Sequence, residues 1–319
     1  MCAVQKAGVR SRRRPVLAVS AAVGCAAFLG VSCLAWSADF PLGSTAGHVV
    51  VDDASGEVES QDNEHLKFRA ASVVKLLIAL DHLERLDPDV PITEDDRLLL
   101  QPMLRSSNDD VATALWAEGG GVEIIERAVD KIGLSDTEPP PAGQETTWGY
   151  TRMSASDVAA TYRYIRHGAD PRTRDFMLEN LRRHTACAAD GFDQSFGLPS
   201  AAPEVGAVKQ GWSGFGASPA SGRRCNGSDD PARTGELLAD LAGQAVRAPA
   251  PVDDVPAAAD DVPAAAEQAA DPNTTRRAMH TTGIVDDKIV VLLTLQPDGT
   301  TWQTAADAVS ERTGELLQS

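Results

Sequence analysis

A serine and a lysine three residues apart, in the sequence Ala71-Ser72-Val73-Val74-Lys75, are the strongest chemical signal in this chain. At the start of a helix this spacing places both side chains on one face, within hydrogen-bond reach of each other. A serine hydroxyl is a weak nucleophile at neutral pH, and a lysine can deprotonate it only if burial lowers the lysine pKa. The pair therefore predicts nucleophilic catalysis, with Ser72 as the nucleophile and Lys75 as its base, although the same spacing often occurs on helices by chance.

The residues that follow Ser72 predict the burial that such a lysine needs. Apolar side chains surround most of the helix axis from Ser72 to Leu86, as in a helix at the centre of a domain. The N–H groups at the start of that helix would also lie beside Ser72, where they favour a developing oxyanion.

A second polar segment, Ser107-Asn108-Asp109, lies just before or within the first turn of a helix predicted at 108–117. Serine, asparagine and aspartate are preferred helix N-caps, so a purely structural interpretation is open. A third segment is a strand predicted at 205–209.

That strand carries Lys209, followed closely by Gln210, Gly211 and Trp212. A lysine on an edge strand is most often a solvated guard against aggregation, so this segment also has a structural interpretation.

In this order, the three segments resemble the signatures Ser-x-x-Lys, Ser-Asp-Asn and Lys-Thr-Gly of the serine β-lactamases and penicillin-binding DD-peptidases. The resemblance covers nearly the whole chain after the N-terminal leader. It implies that Ser72 is acylated, that Lys75 is the base or its relay, and that Ser107 passes a proton to the leaving group.

The same resemblance implies how a substrate is held. Lys209 would attract a substrate carboxylate, and the backbone N–H groups of Ser72 and Trp212 would form the oxyanion hole. Gly211 would let the strand approach the substrate closely. The implied ligands are a β-lactam or an acyl-D-Ala-like stem peptide, with no cofactor.

Three departures from the family pattern bear on activity. Asp109 stands where the family has an amide that donates to a substrate carbonyl, whereas an ionised carboxylate only accepts. Gln210 replaces the hydroxyl residue of the third motif. The segment from Ser72 to Ser107 is also shorter than in typical class A β-lactamases, so one wall of the cleft is expected to be reduced.

Glu138-Pro139 echoes the class A loop whose glutamate activates the deacylating water, but the loop's asparagine has no counterpart here. Glu138 is therefore either a catalytic residue or a surface acid in a proline-rich turn. Efficient hydrolysis of β-lactams is not the expected activity.

The first 38 residues predict export. They contain five basic residues and no acid, followed by an apolar run from Pro15 to Trp36. This pattern is typical of a secretory signal peptide or of an N-terminal membrane anchor. Cys25 and Cys33, each after a small residue, also leave lipidation open. The rest, 39–319, is expected to be extracytoplasmic, and membrane contact is expected only through the leader.

Cysteine and charge constrain the exported part further. Cys187 and Cys225 are its only cysteines, which predicts one disulfide, with two buried thiols as the alternative. Without the leader, 24 basic residues face 46 acidic ones, a formal charge of about −22. Such a charge repels phosphate backbones, so nucleic acid is not an expected partner. The histidines show no metal-ligand spacing, and most are expected to be surface or capping residues. We expect no metal and a monomer.

The hydrophobic patterns predict an α+β fold with an antiparallel sheet built from N- and C-terminal strands and a helical subdomain at about 87–200. A hairpin turns at Ala54-Ser55-Gly56, a second joins strands near 279–285 and 289–295, and a helix closes the chain at 301–317. Other predicted helices are 108–117, 121–132, 154–167, 171–184 and 231–246. An Ala, Pro and Asp repeat at 248–272 predicts a disordered insertion.

Two functions fit these observations, and an unrelated extracellular helical protein is the remaining alternative. The first is an exported serine hydrolase or transpeptidase-like enzyme that forms an acyl-enzyme at Ser72. The second keeps the fold but makes the chain a catalytically impaired, penicillin-capturing or cell-envelope binding protein, because its second and third motifs are altered.

Overall fold

Strands from the N- and C-terminal parts of the chain pair in one antiparallel sheet. The computed structural model describes residues 40–202, 204–219, 225, 239 and 271–318. The strands are β1 (Thr45–Asp52), β2 (Val58–Asp62), β5 (Ala207–Ser213), β6 (Arg277–Val285) and β7 (Lys288–Gln296). Their order in the sheet among these residues is β2-β1-β7-β6-β5. A separate two-stranded ribbon joins β3 (Phe68–Arg69) to β4 (Arg152–Met153).

Helices cover both faces of the sheet, and the pleat divides its side chains between two cores. Val49 and Val51 of β1 lie in one core, whereas Val50 lies in the other. Successive side chains of a strand point to opposite faces, so the uninterrupted apolar run of β1 is what a sheet covered on both sides requires.

The helices lie mostly between β3 and β5. They are α1 (Lys75–Arg85), α2 (Glu94–Arg105), α3 (Asp109–Glu118), α4 (Val122–Ile132), α5 (Ala155–Arg163), α6 (Pro171–Arg182), α7 (Leu198–Ala201), α8 (Pro272–Thr275) and α9 (Trp302–Leu316). Short 3₁₀ turns at Ala71–Val74 and Trp148–Tyr150 precede α1 and β4, and a π turn at Tyr164–Gly168 continues α5. Helix α9 packs on β6 and β7 in the second core.

The predicted α+β fold is confirmed, including the antiparallel sheet and the helical segment inserted in it. The helices predicted between 108 and 184, the hairpin of β6 and β7, and the C-terminal helix are all found. Helix α2 was not predicted. It contains Pro102, which removes a backbone donor, but a capping box between Thr93 and Asp96 fixes its start.

Contrary to the expectation that most histidines are surface or capping residues, His48, His82 and His280 are buried. His280 has no exposed surface because its ring bridges two strands: Nε2 lies 2.8 Å from the Arg69 carbonyl, and Nδ1 accepts from the Thr294 N–H at 3.0 Å. Among the described residues, no group of histidine, cysteine, aspartate and glutamate side chains could hold a metal ion.

Cys187 and Cys225 form a disulfide, with Cα atoms 5.3 Å apart. Near this bridge, the Cys225 N–H donates to the Gly191 carbonyl at 2.9 Å. The bridge therefore tethers the loop around Asp190, which faces the site described below.

Some predictions fall on residues outside the described ranges. These are the leader at 1–38, nearly all of the helix predicted at 231–246, and the insertion at 248–272 up to residue 270. Within the described ranges, no helix combines the length and the apolar character that crossing a bilayer would require.

Candidate active site

Ser72 lies in the 3₁₀ turn that leads into α1, with only 5% of its surface exposed. The preceding residue, Ala71, has a φ of 46°, a left-handed conformation that is unfavourable for any residue with a Cβ. Such strain persists only where the surrounding contacts impose it, and it often occurs at functional sites. The chain thus turns sharply at Ala71 and presents the Ser72 hydroxyl at the start of a buried helix.

Lys75 is the first residue of α1 and has no exposed surface. Its Nζ lies 3.0 Å from Ser72 Oγ, as the three-residue spacing predicts. It also donates to the Ser107 carbonyl at 2.6 Å and to Asp109 Oδ1 at 2.5 Å. The indole ring of Trp148 covers the same ammonium, with Nζ 4.7 Å from the ring centroid.

Ser107 is held between two ammonium groups. Its Oγ accepts from Lys75 Nζ at 3.2 Å and from Lys209 Nζ at 2.9 Å. These two bonds use both lone pairs of the hydroxyl oxygen, so the O–H hydrogen is left to donate elsewhere. Ser107 has a left-handed φ of 59° and directly precedes Asn108, the N-cap of α3.

Lys209 lies on β5, at the edge of the sheet, but only 1% of its surface is exposed. The solvated-guard interpretation of this lysine is therefore wrong. Strand β5 approaches the turn that carries Ser72 so closely that a Cβ on Gly211 would lie 2.9 Å from Val73 Cγ2 and 3.0 Å from the Ala70 carbonyl oxygen. Only glycine fits at this crossing.

Burial lowers the pKa of both lysines. For Lys75, desolvation is the largest cause, and the carboxylate of Asp109 opposes it. For Lys209, desolvation and the neighbouring charge of Lys75 bring the pKa well below its ordinary value. Each shift favours the neutral amine, which is the form able to accept a proton.

The shifted pKa of Lys209 predicts a pH dependence of stability. In the unfolded chain this amine has an ordinary pKa of about 10.4. Between the lowered folded pKa and that value the unfolded chain binds more protons, so the free energy of unfolding should rise with pH by up to about 1.4 kcal/mol per pH unit. Lys209→Met should flatten this rise at pH values below about 10. Urea unfolding at several pH values measures it, and parallel curves for both proteins would contradict the prediction.

The side chain of Trp212 anchors the far end of β5. Its Nε1 donates to Asp190 Oδ2 at 3.0 Å, and its ring contacts Phe192 and Trp302 edge to face, with centroids 6.4 and 5.7 Å away. Burial raises the pKa of Asp190. Asp190 could not be identified from the sequence, because no local pattern connects it with Lys75 and Lys209.

Comparisons with known proteins place this geometry in context. No family model matches the chain. A class A β-lactamase from Mycobacterium abscessus superposes with a TM-score of 0.53 at 16% identity, covering 86% of this chain and 94% of that one. A β-lactamase from Chitinophaga pinensis gives 0.51 at 15% identity, covering 86% and 92%. This chain has the fold of the class A β-lactamases.

The curated proteins that match this chain in sequence are named as lipoproteins rather than as β-lactamases. Proteins of Mycobacterium tuberculosis and Mycobacterium bovis called "Putative lipoprotein LppW" are 33% identical over 176 residues, which is 54% of this chain. The match spans about half, 55%, of the length of those relatives.

The catalytic and surface-acid alternatives for Glu138, in the loop that precedes β4, predict different partners for its carboxylate. The side chain of Glu138 is half exposed and pairs with two cations. Its Oε1 lies 2.6 Å from Lys67 Nζ, and its Oε2 lies 3.7 Å from Arg152 Nη1. This is the surface-acid alternative of the sequence analysis. The residue of this loop that reaches Lys75 is Trp148, which the sequence analysis did not single out.

Proposed function

We propose that this chain is an exported serine acyl-enzyme protein that reacts with β-lactams or acyl-D-Ala-like peptides through Ser72. The observation that carries the proposal is the convergence of four side chains from three parts of the sequence: Ser72, Lys75, Ser107 and Lys209. A hydroxyl next to a buried amine, with a second hydroxyl held between two amines, has the parts needed for acyl transfer.

In the proposed acylation, neutral Lys75 accepts the proton of Ser72 Oγ across the 3.0 Å contact as Oγ attacks the carbonyl carbon. The resulting tetrahedral intermediate collapses when the carbon–nitrogen bond breaks. Ser107 donates its O–H proton to the leaving nitrogen and regains one from Lys75, 3.2 Å away, so the protons balance. Lys209, whose Nζ lies 2.9 Å from Ser107 Oγ, offers N–H donors to a substrate carboxylate.

The alternative function, capture of a penicillin without turnover, is favoured by the surroundings of Lys75. Within the described part of the chain, Asp109 is the only carboxylate that contacts Lys75, and Glu138 is engaged with Lys67 instead. Trp148 also covers the ammonium. With no second carboxylate in contact to activate a water, we expect the acyl-enzyme to form and then to hydrolyse slowly.

A fluorescent penicillin tests the proposal. The full chain is expected to acquire one covalent label, seen by gel fluorescence and as one added mass in the intact protein. Ser72→Ala should abolish the label, whereas Ser156→Ala on α5 should keep it. A wild-type chain that does not label, or a label that survives in Ser72→Ala, would disprove the proposal.

A chromogenic cephalosporin separates the two functions. A single burst of about one equivalent, followed by little further colour, indicates capture, whereas sustained colour release indicates hydrolysis.

We also propose that the chain is attached to the outer side of the cell envelope, which the basic and apolar leader and the name of the mycobacterial relatives support.

A further inference from the structure

We infer that Asp109 makes this site select acyl substrates that carry an ammonium group next to the acyl side-chain carbonyl. This inference rests on the proposed function and names the substrate class of the same site. It follows from the position, the exposure and the hydrogen-bonding capacity of one carboxylate.

Asp109 lies close to the hydroxyl of Ser72 and the amine of Lys75. It is the first residue of α3, directly after the N-cap, and its Oδ1 lies 2.5 Å from Lys75 Nζ. The same Nζ lies 3.0 Å from Ser72 Oγ, so a single ammonium separates this carboxylate from the nucleophile. An acyl group bound to Ser72 therefore has its side chain within reach of Asp109.

Exposure leaves half of the carboxylate available. The side chain of Asp109 is 62% exposed, whereas the lysine that it contacts is fully buried. Oδ1 is engaged with Lys75, and Oδ2 has no hydrogen bond to any residue in the described ranges. The carboxylate thus joins the buried amine to the open side of the site.

Hydrogen-bonding capacity then decides what Asp109 can bind. A carboxylate offers only acceptors, so it repels a carbonyl oxygen and attracts an N–H group, most strongly a charged one. The amines of Lys75 and Lys209 are buried, whereas the carboxylates of Asp109 and Asp110 at the start of α3 are exposed. A substrate approaching this side meets negative charge first.

Two penicillins form a matched pair for the test. Ampicillin and benzylpenicillin differ by one amino group on the carbon next to the side-chain carbonyl, and near pH 6 that amine is charged. With the full chain, the second-order rate constant for labelling Ser72 is expected to be about fivefold higher for ampicillin, the size of one partly exposed ion pair. Mass spectrometry of the intact protein measures both rates.

Asp109→Asn should bring the ratio of the two rate constants to one or below, because an amide can donate to the carbonyl. The ratio is the informative quantity, since any effect of the substitution on Lys75 changes both rates equally. Asp110→Asn removes the same charge from the neighbouring exposed position and should keep the preference for ampicillin.

The outcomes distinguish the two proposals. If both penicillins label Ser72 at equal rates, or if Asp109→Asn leaves the ratio unchanged, the inference about Asp109 is wrong and the proposed function stands. If neither compound labels Ser72, both are wrong.

Discussion

Replacing Lys75 by methionine is expected to lower the rate constant for acylation of Ser72 by about a thousandfold, the usual contribution of a positioned general base. Methionine keeps the length of the side chain but removes the amine that lies 3.0 Å from Ser72 Oγ and 3.2 Å from Ser107 Oγ. Both proton transfers of the proposed acylation pass through that amine. Labelling with fluorescent penicillin over time, on a scale of seconds to hours, measures the loss.

The same substitution should not reduce the free energy of unfolding. Lys75 has no exposed surface and its pKa is lowered mainly by desolvation, so its charged form is held in the fold at a cost. Asp109, left without its partner, is 62% exposed and remains solvated. Lys131→Met, at a half-exposed lysine on α4, is the control and should label at the wild-type rate. Near-normal labelling of Lys75→Met would contradict the assigned role.

Replacing Gly211 by alanine is expected to slow acylation by about a hundredfold, because a displacement of about 1 Å between reacting groups has an effect of this size. The added Cβ would lie 3.0 Å from the Ala70 carbonyl oxygen, a backbone atom next to the strained residue Ala71. A shift of the strand or of the turn that relieves this contact would move Lys209 relative to Ser72. Stability should also fall by about 1 to 3 kcal/mol, as for other overpacked sites.

Gly149→Ala provides the control for this second prediction. Its Cβ would also face the turn at Ala71, but at 3.8 Å, an ordinary contact distance. Labelling rates and urea unfolding of both variants should show the loss only for Gly211→Ala. Equal rates in the two variants would show that the close approach of β5 has no influence on the site.

Local patterns in the sequence predicted most of the fold, for an identifiable reason. The apolar residues after Ser72 predicted a buried helix, and short apolar runs predicted the strands near 279–285 and 289–295. Helix α2 was not predicted because it contains Pro102, and proline disfavours the interior of a helix. The capping box at Thr93 indicates the start of a helix only if a helix is already assumed there. His280 escaped because the partners that satisfy its ring are distant in sequence.

The candidate active site likewise has one part that local sequence predicts and another that depends on the tertiary structure. The sequence by itself determined that Ser72 and Lys75 share one helix face, because three residues of helix make nearly one turn. Only the tertiary structure decided that Lys209 meets Ser107, 102 positions away, since this depends on β5 packing against the Ser72 turn across Gly211. Burial, which lowers the pKa of both lysines, is likewise a property of the assembled fold, because it comes from side chains contributed by many separate segments.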